Sequence, residues 1–289
     1  RNTDPEQTEM LSKPMKPLNA APHPSHIAQR ISIICRLCLA MVTSLPLTTS
    51  LADSPPPLVA AAADLQFALS EIAQQYQRDT GHSVRLVMGS SGNFYRQIRE
   101  GAPFELFLSA DERYVMQLHA AGKTRDAGTL YALGRIVLIA PNRSPLPVDS
   151  ELQGLRQALS RGEVTRFAIA NPEHAPYGQR AVEALQHAGL WSAVQGKLVL
   201  GENVAQAAQF ATSGNAQGGI VAYSLALSPA LSTQSRFALI PEDWHQPLRQ
   251  RMVLLNNASE AGAAFYAYLQ QPDARRLLRA YGFSLPDAD

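Results

Sequence analysis

SVRLVMGSSGNFYRQIREGAPFELFLSADE, residues 83–112, decides the fold class. SVRLVM (83–88) and FELFLSA (104–110) have the length and apolar content of strands. NFYRQIREG (93–101) between them has helical spacing and a closing glycine. A strand, a helix and a strand in this order form the repeating unit of a parallel sheet covered by helices. At the first junction Ser90 and Ser91 stand between Gly89 and Gly92. The pair has three readings: a nucleophile, a helix cap, or hydrogen-bond donors to an anion.

The alternation continues on both sides. LVAAAA (58–63) reads as a buried strand, followed by Asp64 as N-cap of the helix LQFALSEIAQQYQRD (65–79). Apolar positions 65, 68, 69, 72, 73 and 76 share one face of that helix, and Gly81 closes it. Asp111 is placed to cap the helix after the quoted stretch. Strands are expected at 135–140, 166–170, 197–200, 218–223, 236–240 and 251–255, and helices at 150–162, 177–189 and 204–214. Two further helices close the chain. No long linker and no fixed repeat interrupts the pattern. The expected fold is α/β with two lobes, each a mainly parallel sheet flanked by helices, and a ligand cleft between them. Interwoven segments assign 53–136 and 251–289 to lobe 1 and 137–250 to lobe 2, with the strands at 135–140 and 251–255 as the crossings.

Residues 1–52 read differently. Arg30 and Arg36 precede the apolar run LCLAMVTSLPL (37–47), and Ser50-Leu51-Ala52 supplies small residues for cleavage near Ala52. This is the pattern of a secretory signal peptide, and the run is shorter than the ~20 apolar residues of a membrane span. It implies a periplasmic protein. Residues 1–30 are polar and read as sequence upstream of a start at Met10 or Met15. Cys35 and Cys38 both fall in the signal segment, so their C-x-x-C spacing is not read as a redox or zinc motif.

The whole chain is 46% hydrophobic and 17% charged, which excludes general disorder. Without residues 1–52, twenty basic residues face twenty-one acidic ones, so no strong field for nucleic acid or membrane surfaces is expected. His82, His119, His174, His187 and His245 show no metal-ligand spacing, and no cofactor motif is present. His174 and Asp111 read as local caps, and Arg96, Arg99 and Glu100 as a solvated helix face.

Four strand-to-helix junctions carry small or hydroxyl residues: AAAD (61–64), GSSGN (89–93), HAPYG (174–178) and GENVAQA (201–207). Ligands of open α/β sheets sit beyond the carboxyl ends of the strands, where helix starts present unpaired N–H groups. Four such ends meeting would form a cage of neutral donors suited to a small dehydrated anion. The nucleophile reading is weak: GSSGN is not G-x-S-x-G, and neither an S-x-x-K nor a P-loop follows.

AAADLQFAL, GSSGNFYRQIREGAPFELFLSADE, YALGRIVLIA, ANPEHAPYG, GENVAQA, GGIVAY and the closing FYAYLQQPDARRLLRAYGF occur in this order. Over roughly residues 58–286 the chain closely resembles the periplasmic molybdate-binding proteins of ABC importers. The resemblance implies a type II periplasmic-binding fold, no enzymatic activity, a monomer, and one molybdate or tungstate handed to a permease in the inner membrane. It implies that Ser91 donates its hydroxyl and backbone N–H to the anion, and that Tyr177 and Val204 donate backbone N–H groups. Ser90, Ala63 and Asp64 fall at the remaining donor positions, and Tyr223 lies one residue from a further one. Asp64 departs from the pattern, since relatives carry serine or asparagine there. Its side chain is expected to fold onto the first N–H groups of its own helix. Two other readings stay open: the same fold binding sulfate or an organic anion, and an exported serine hydrolase.

Overall fold

The computed structural model describes residues 55–286. The proposed signal peptide, Cys35, Cys38 and the cleavage site near Ala52 lie outside the described residues.

The chain first lays down β1 (Leu58–Ala62), α1 (Gln66–Thr80), β2 (Arg85–Gly89), α2 (Ser91–Arg99), β3 (Leu106–Ser109), α3 (Glu112–Ala120) and β4 (Thr129–Gly134). It continues with β5 (Ile136–Pro141), α4 (Gln153–Ser160), β6 (Phe167–Ala170), α5 (Pro176–His187), α6 (Trp191–Val194), β7 (Leu198–Gly201), α7 (Val204–Thr212) and β8 (Gly218–Ala222). The short helices α8 (Tyr223–Ala226) and α9 (Pro229–Ser232) lead to β9 (Ser235–Leu239). Then β10 (Leu248–Leu254), α10 (Glu260–Tyr268) and α11 (Pro272–Ala280) follow.

Two five-stranded sheets result, in the orders β2-β1-β3-β10-β4 and β7-β6-β8-β5-β9. The two orders are the same pattern, with β10 and β5 in equivalent places. In the first sheet β1 pairs in parallel with β2 and β3, while β10 runs antiparallel to both β3 and β4. In the second, β6 pairs in parallel with β7 and β8, while β5 runs antiparallel to β8 and β9. Each sheet is therefore mixed, with one reversed strand. That strand is the one by which the chain enters from the other lobe: Arg135 alone separates β4 from β5, and residues 240–247 join β9 to β10.

Strands β3, β6 and β8 are buried throughout, as continuous apolar runs must be when helices cover both faces of a sheet. Strand β4 was not expected: its sequence runs straight into β5, so two strands of different sheets read as one apolar stretch. Strand β10 begins at Leu248, ahead of the run expected to start at 251.

Local chemistry sets the helix boundaries. Ser90 accepts from the Asn93 N–H at 3.4 Å, Asp111 from the Arg113 N–H at 2.9 Å, and Asn203 from the Ala205 and Gln206 N–H groups. Gly81 ends α1 with φ 77°. The apolar core of lobe 2 continues across the cleft to Ala62, Ala63 and Ala110 of lobe 1. The lobes are thus in contact, with the junctions of both facing each other.

Candidate functional site

One small buried cavity lies where the junctions meet. Lobe 1 lines it with Ala63, Asp64, Ser90 and Ser91, and lobe 2 with Tyr177 and Val204. Six of the seven residues expected at the site are thereby brought together. Tyr223 is not among them: it opens α8 with its ring 5.9 Å from that of Phe237. A wider groove elsewhere between the lobes, lined by residues such as Phe67, Met88, Gln206 and Leu231, is larger. It is open, and the helix starts α2 and α5 do not line it.

Three of the cavity residues open long helices. In α2 the N–H groups of Gly92, Asn93 and Phe94 are taken by the His174 carbonyl, the Ser90 hydroxyl and the Ser90 carbonyl. In α7 the Asn203 side chain and carbonyl take the N–H groups of Ala205, Gln206 and Ala207. In α5 Pro176 has no N–H, and the Gln179 N–H goes to the Ala175 carbonyl. Among the described residues, the backbone N–H groups of Ser91, Tyr177 and Val204 have no protein acceptor. These are the orphan donors that every helix start leaves, and here three of them border one cavity.

The two serines divide their work. Ser91 is fully buried, and its Oγ accepts the Ala110 N–H at 2.9 Å. A lone pair is used, and the hydroxyl proton is left to donate. The Ser90 hydroxyl, beyond capping α2, lies 2.8 Å from His174 Nδ1 in the other lobe. His174 Nε2 is 3.7 Å from Glu202 Oε2, and Asn93 Nδ2 donates to Glu202 Oε1. His174 is therefore more than the local cap expected. With Gly92 N–H donating to its carbonyl, it fastens the lobes at the mouth of the site.

Asp64 corrects a second expectation. The backbone N–H groups of Asp64 and Leu65 do favour its ionised form, but its short hydrogen bonds go elsewhere. It is 1% exposed, and its Oδ2 accepts from Tyr177 Oη across the cleft at 2.9 Å and from Gln250 Nε2 on β10 of its own lobe at 2.6 Å. Oδ1 has no hydrogen-bond partner among the described residues. Two side-chain donors from other elements join the local N–H groups, and Asp64 sits inside a 3₁₀ turn (Ala63–Leu65) rather than ahead of it. The network runs on: Gln250 Nε2 also lies 3.1 Å from Tyr177 Oη, and its Oε1 accepts from Tyr131 at 2.6 Å. Ser224 donates to the Asp64 carbonyl at 2.8 Å. Burial pushes the Asp64 carboxyl up to about 6, against the opposing pull of Gln250, Tyr177 and the backbone N–H groups of Asp64 and Leu65. Burial likewise pushes the Tyr177 and Tyr131 phenols well above their ordinary value, with the nearby Asp64 charge adding to it.

Gln250, Tyr131 and Ser224 escaped the sequence reading. Gln250 sits between two arginines in an apolar strand, and nothing local marks it as fully buried. Among the described residues no group of three His, Cys, Asp or Glu side chains is placed to hold a metal ion.

The model for bacterial extracellular solute-binding proteins matches residues 57–284. The chain belongs to this family. Over 230 residues this solute-binding protein is 39% identical to the molybdate-binding protein of Azotobacter vinelandii, covering 78% of this chain and 89% of that one. It is 34% identical over 248 residues to the molybdate-binding protein of Rhodobacter capsulatus, covering 85% and 93%. The solved structure of the Azotobacter vinelandii periplasmic molybdate-binding protein superposes with a TM-score of 0.73 at 30% identity, covering 80% of this chain and all of that one. The two-lobed periplasmic-binding fold, with its interlobe cleft, is thereby the fold of this solute-binding protein.

Proposed function

We propose that this solute-binding protein is the periplasmic subunit of an ABC importer, capturing molybdate and delivering it to a membrane permease. One observation carries the reading. Three unclaimed helix-start N–H groups and the Ser91 hydroxyl border a single buried cavity that no lysine or arginine lines. Neutral dipoles aimed inward are what a dehydrated oxyanion needs in place of its water. The printed names of the relatives agree with it. Tungstate, of the same shape and charge, fits the same description.

The residues divide the task. Ser91 gives a hydroxyl and an N–H, Tyr177 and Val204 give N–H groups, and the small side chains of Ala63 and Ala110 let the anion approach the backbone. Size separates molybdate from sulfate, and a protonated oxyanion brings a donor that a cage of donors rejects. The contacts of Ser90, Gly92 and Asn93 with His174 and Glu202 hold the lobes closed over the ligand, and the closed form is the one a permease reads. No described helix is long and apolar enough to cross a membrane, which suits a protein that meets its permease from outside the bilayer.

Isothermal titration of the purified protein with molybdate, tungstate and sulfate tests the reading. Tighter binding of sulfate than of molybdate rejects it in favour of another oxyanion. The Ser90–His174 contact supports a second reading, a serine hydrolase, because it supplies the base that the sequence left unassigned. That hydroxyl is 4% exposed and already caps α2, and the orphan donors lie at Ser91 instead. Covalent labelling of Ser90 by a fluorophosphonate probe would establish the hydrolase; the expected outcome is no labelling.

A further inference from the structure

Asp64 is the one carboxylate in the cavity wall, and one of its oxygens is unused. Oδ2 is held by Tyr177 and Gln250, while Oδ1 is buried without a partner among the described residues. A donor cage for a dianion is an adverse place for an ionised carboxylate. We propose that Asp64 is a specificity-determining residue that meets the oxyanion as the neutral acid, so that one proton is taken up from solvent with each molybdate bound. The inference rests on the molybdate reading above and adds to it a coupling between capture and pH.

The groups facing Asp64 leave it no cationic partner. Tyr177 faces it from α5, and Tyr131 from β4 lies beyond Gln250 of β10; both phenols stay neutral. Ser224 of α8 binds its carbonyl. The turn into α2 brings Ser90 and Ser91, and behind Ser90 stand His174 and, at 3.7 Å from it, the largely exposed Glu202. No lysine or arginine is among the cavity-lining residues. An ionised Asp64 and a doubly charged anion would share one dry cavity with only dipoles to offset them. Taking a proton removes one of the two charges and turns an acceptor into a donor, which the bare oxygens of molybdate can use. The carboxyl stands at about 6 before any anion enters, and the charge of the anion beside it must raise it by about two units or more for the acid form to persist through pH 8. No bond to the anion forms or breaks: the proton comes from buffer and stays on the carboxyl. An ionised Asp64 would have the opposite preference, accepting a hydrogen bond from an oxyanion that still carries a proton, such as hydrogen phosphate.

The sign follows from linkage. The anion raises the carboxyl pKa, so affinity falls as pH rises between the pKa of the ligand-free protein and that of the complex, by about tenfold per pH unit, and levels off below. The test is titration of the purified protein with sodium molybdate at pH 7.5 in two buffers of different ionisation enthalpy. The expected result is uptake of close to one proton per molybdate and a Kd that weakens about tenfold from pH 7 to pH 8. Asp64→Asn is expected to bind with uptake near zero and no such slope. Uptake near zero in the wild-type protein overturns the inference without reference to any variant. So does a wild-type slope retained in Asp64→Asn, or tighter binding of hydrogen phosphate than of molybdate. Failure of the wild-type protein to bind molybdate at any pH overturns the functional reading itself, and this inference with it.

Discussion

The Ser91 hydroxyl accepts the Ala110 N–H at 2.9 Å, joining the start of α2 to the end of β3. The bond orients the side chain before any ligand arrives, so its remaining proton has a fixed direction. Ser91→Ala removes the hydroxyl proposed to meet the anion and leaves a buried amide without its acceptor. The expected cost is at least about 1 kcal/mol of molybdate affinity, roughly fivefold, together with about 1–3 kcal/mol of stability. Isothermal titration and thermal unfolding of the same preparation measure the two effects separately.

At Gly92 the two lobes meet backbone to backbone. A Cβ there would lie 2.6 Å from the His174 carbonyl and 2.9 Å from the Tyr114 hydroxyl, and its own N–H donates to that carbonyl at 2.9 Å. Gly92→Ala is expected to hold the lobes apart. Molybdate affinity should drop by about tenfold or more, the equivalent of 1.4 kcal/mol. Opening the cleft relieves the clash with His174, and the Tyr114 hydroxyl, at the end of a partly exposed side chain, can swing aside, so the melting temperature changes little. Small-angle scattering in saturating molybdate reads the same effect as a larger radius of gyration than wild type.

Asp64 links stability to pH. Its carboxyl moves from 3.8 to about 6 on folding, so the folded chain binds the proton more tightly than the unfolded one. The folded state therefore benefits fully below the unfolded value, and the benefit is lost as pH rises through the folded one. The difference amounts to about 3 kcal/mol between the two plateaus. Asp64→Asn removes the titration. The stability of the variant relative to wild type is expected to be more favourable at pH 7.5 than at pH 4, measured by denaturant unfolding without ligand.

Tyr177→Phe separates the two roles of that residue. The backbone N–H toward the cavity is retained, while the hydroxyl on Asp64 Oδ2 is lost. Gln250 then remains the carboxyl's side-chain donor. Removing a donor that favours the ionised form is expected to raise the Asp64 pKa further, seen by carboxyl-specific infrared titration as a midpoint above that of wild type.

How much of this was legible in the sequence depended on range. The helix start at Val204 and the junction at Gly-Ser-Ser-Gly are readable because their turn chemistry lies within a few residues, although α2 begins at Ser91, two residues ahead of the expected 93. The placement of Asp64 is not readable in that way. It was read as a cap because caps are local, whereas its partners Tyr177 and Gln250 lie 113 and 186 residues away. Strand β4 was missed for a related reason. Gly134 allows β4 to lie against the Tyr177 hydroxyl and the Gln250 amide, where a Cβ would come within 2.3 and 2.7 Å. In the sequence it is only one small residue inside a continuous apolar run. The tie from His174 to Ser90 has no local signal, since nothing near His174 in the chain shows that Ser90 waits on the opposite lobe.

The reversed strand β10 also dictates an order of assembly. It lies between β3 and β4, in the interior of its sheet, yet it is supplied by residues 248–254, near the end of the chain. The other sheet is complete within the contiguous stretch 136–239. As the polypeptide emerges from its N-terminus onward, the inserted half can finish folding while the half that began first still has a gap through its middle. A chain stopped after β9 would carry one finished sheet and one split into a three-stranded piece and an orphan strand, with raw hydrogen-bonding edges facing each other across a missing plank.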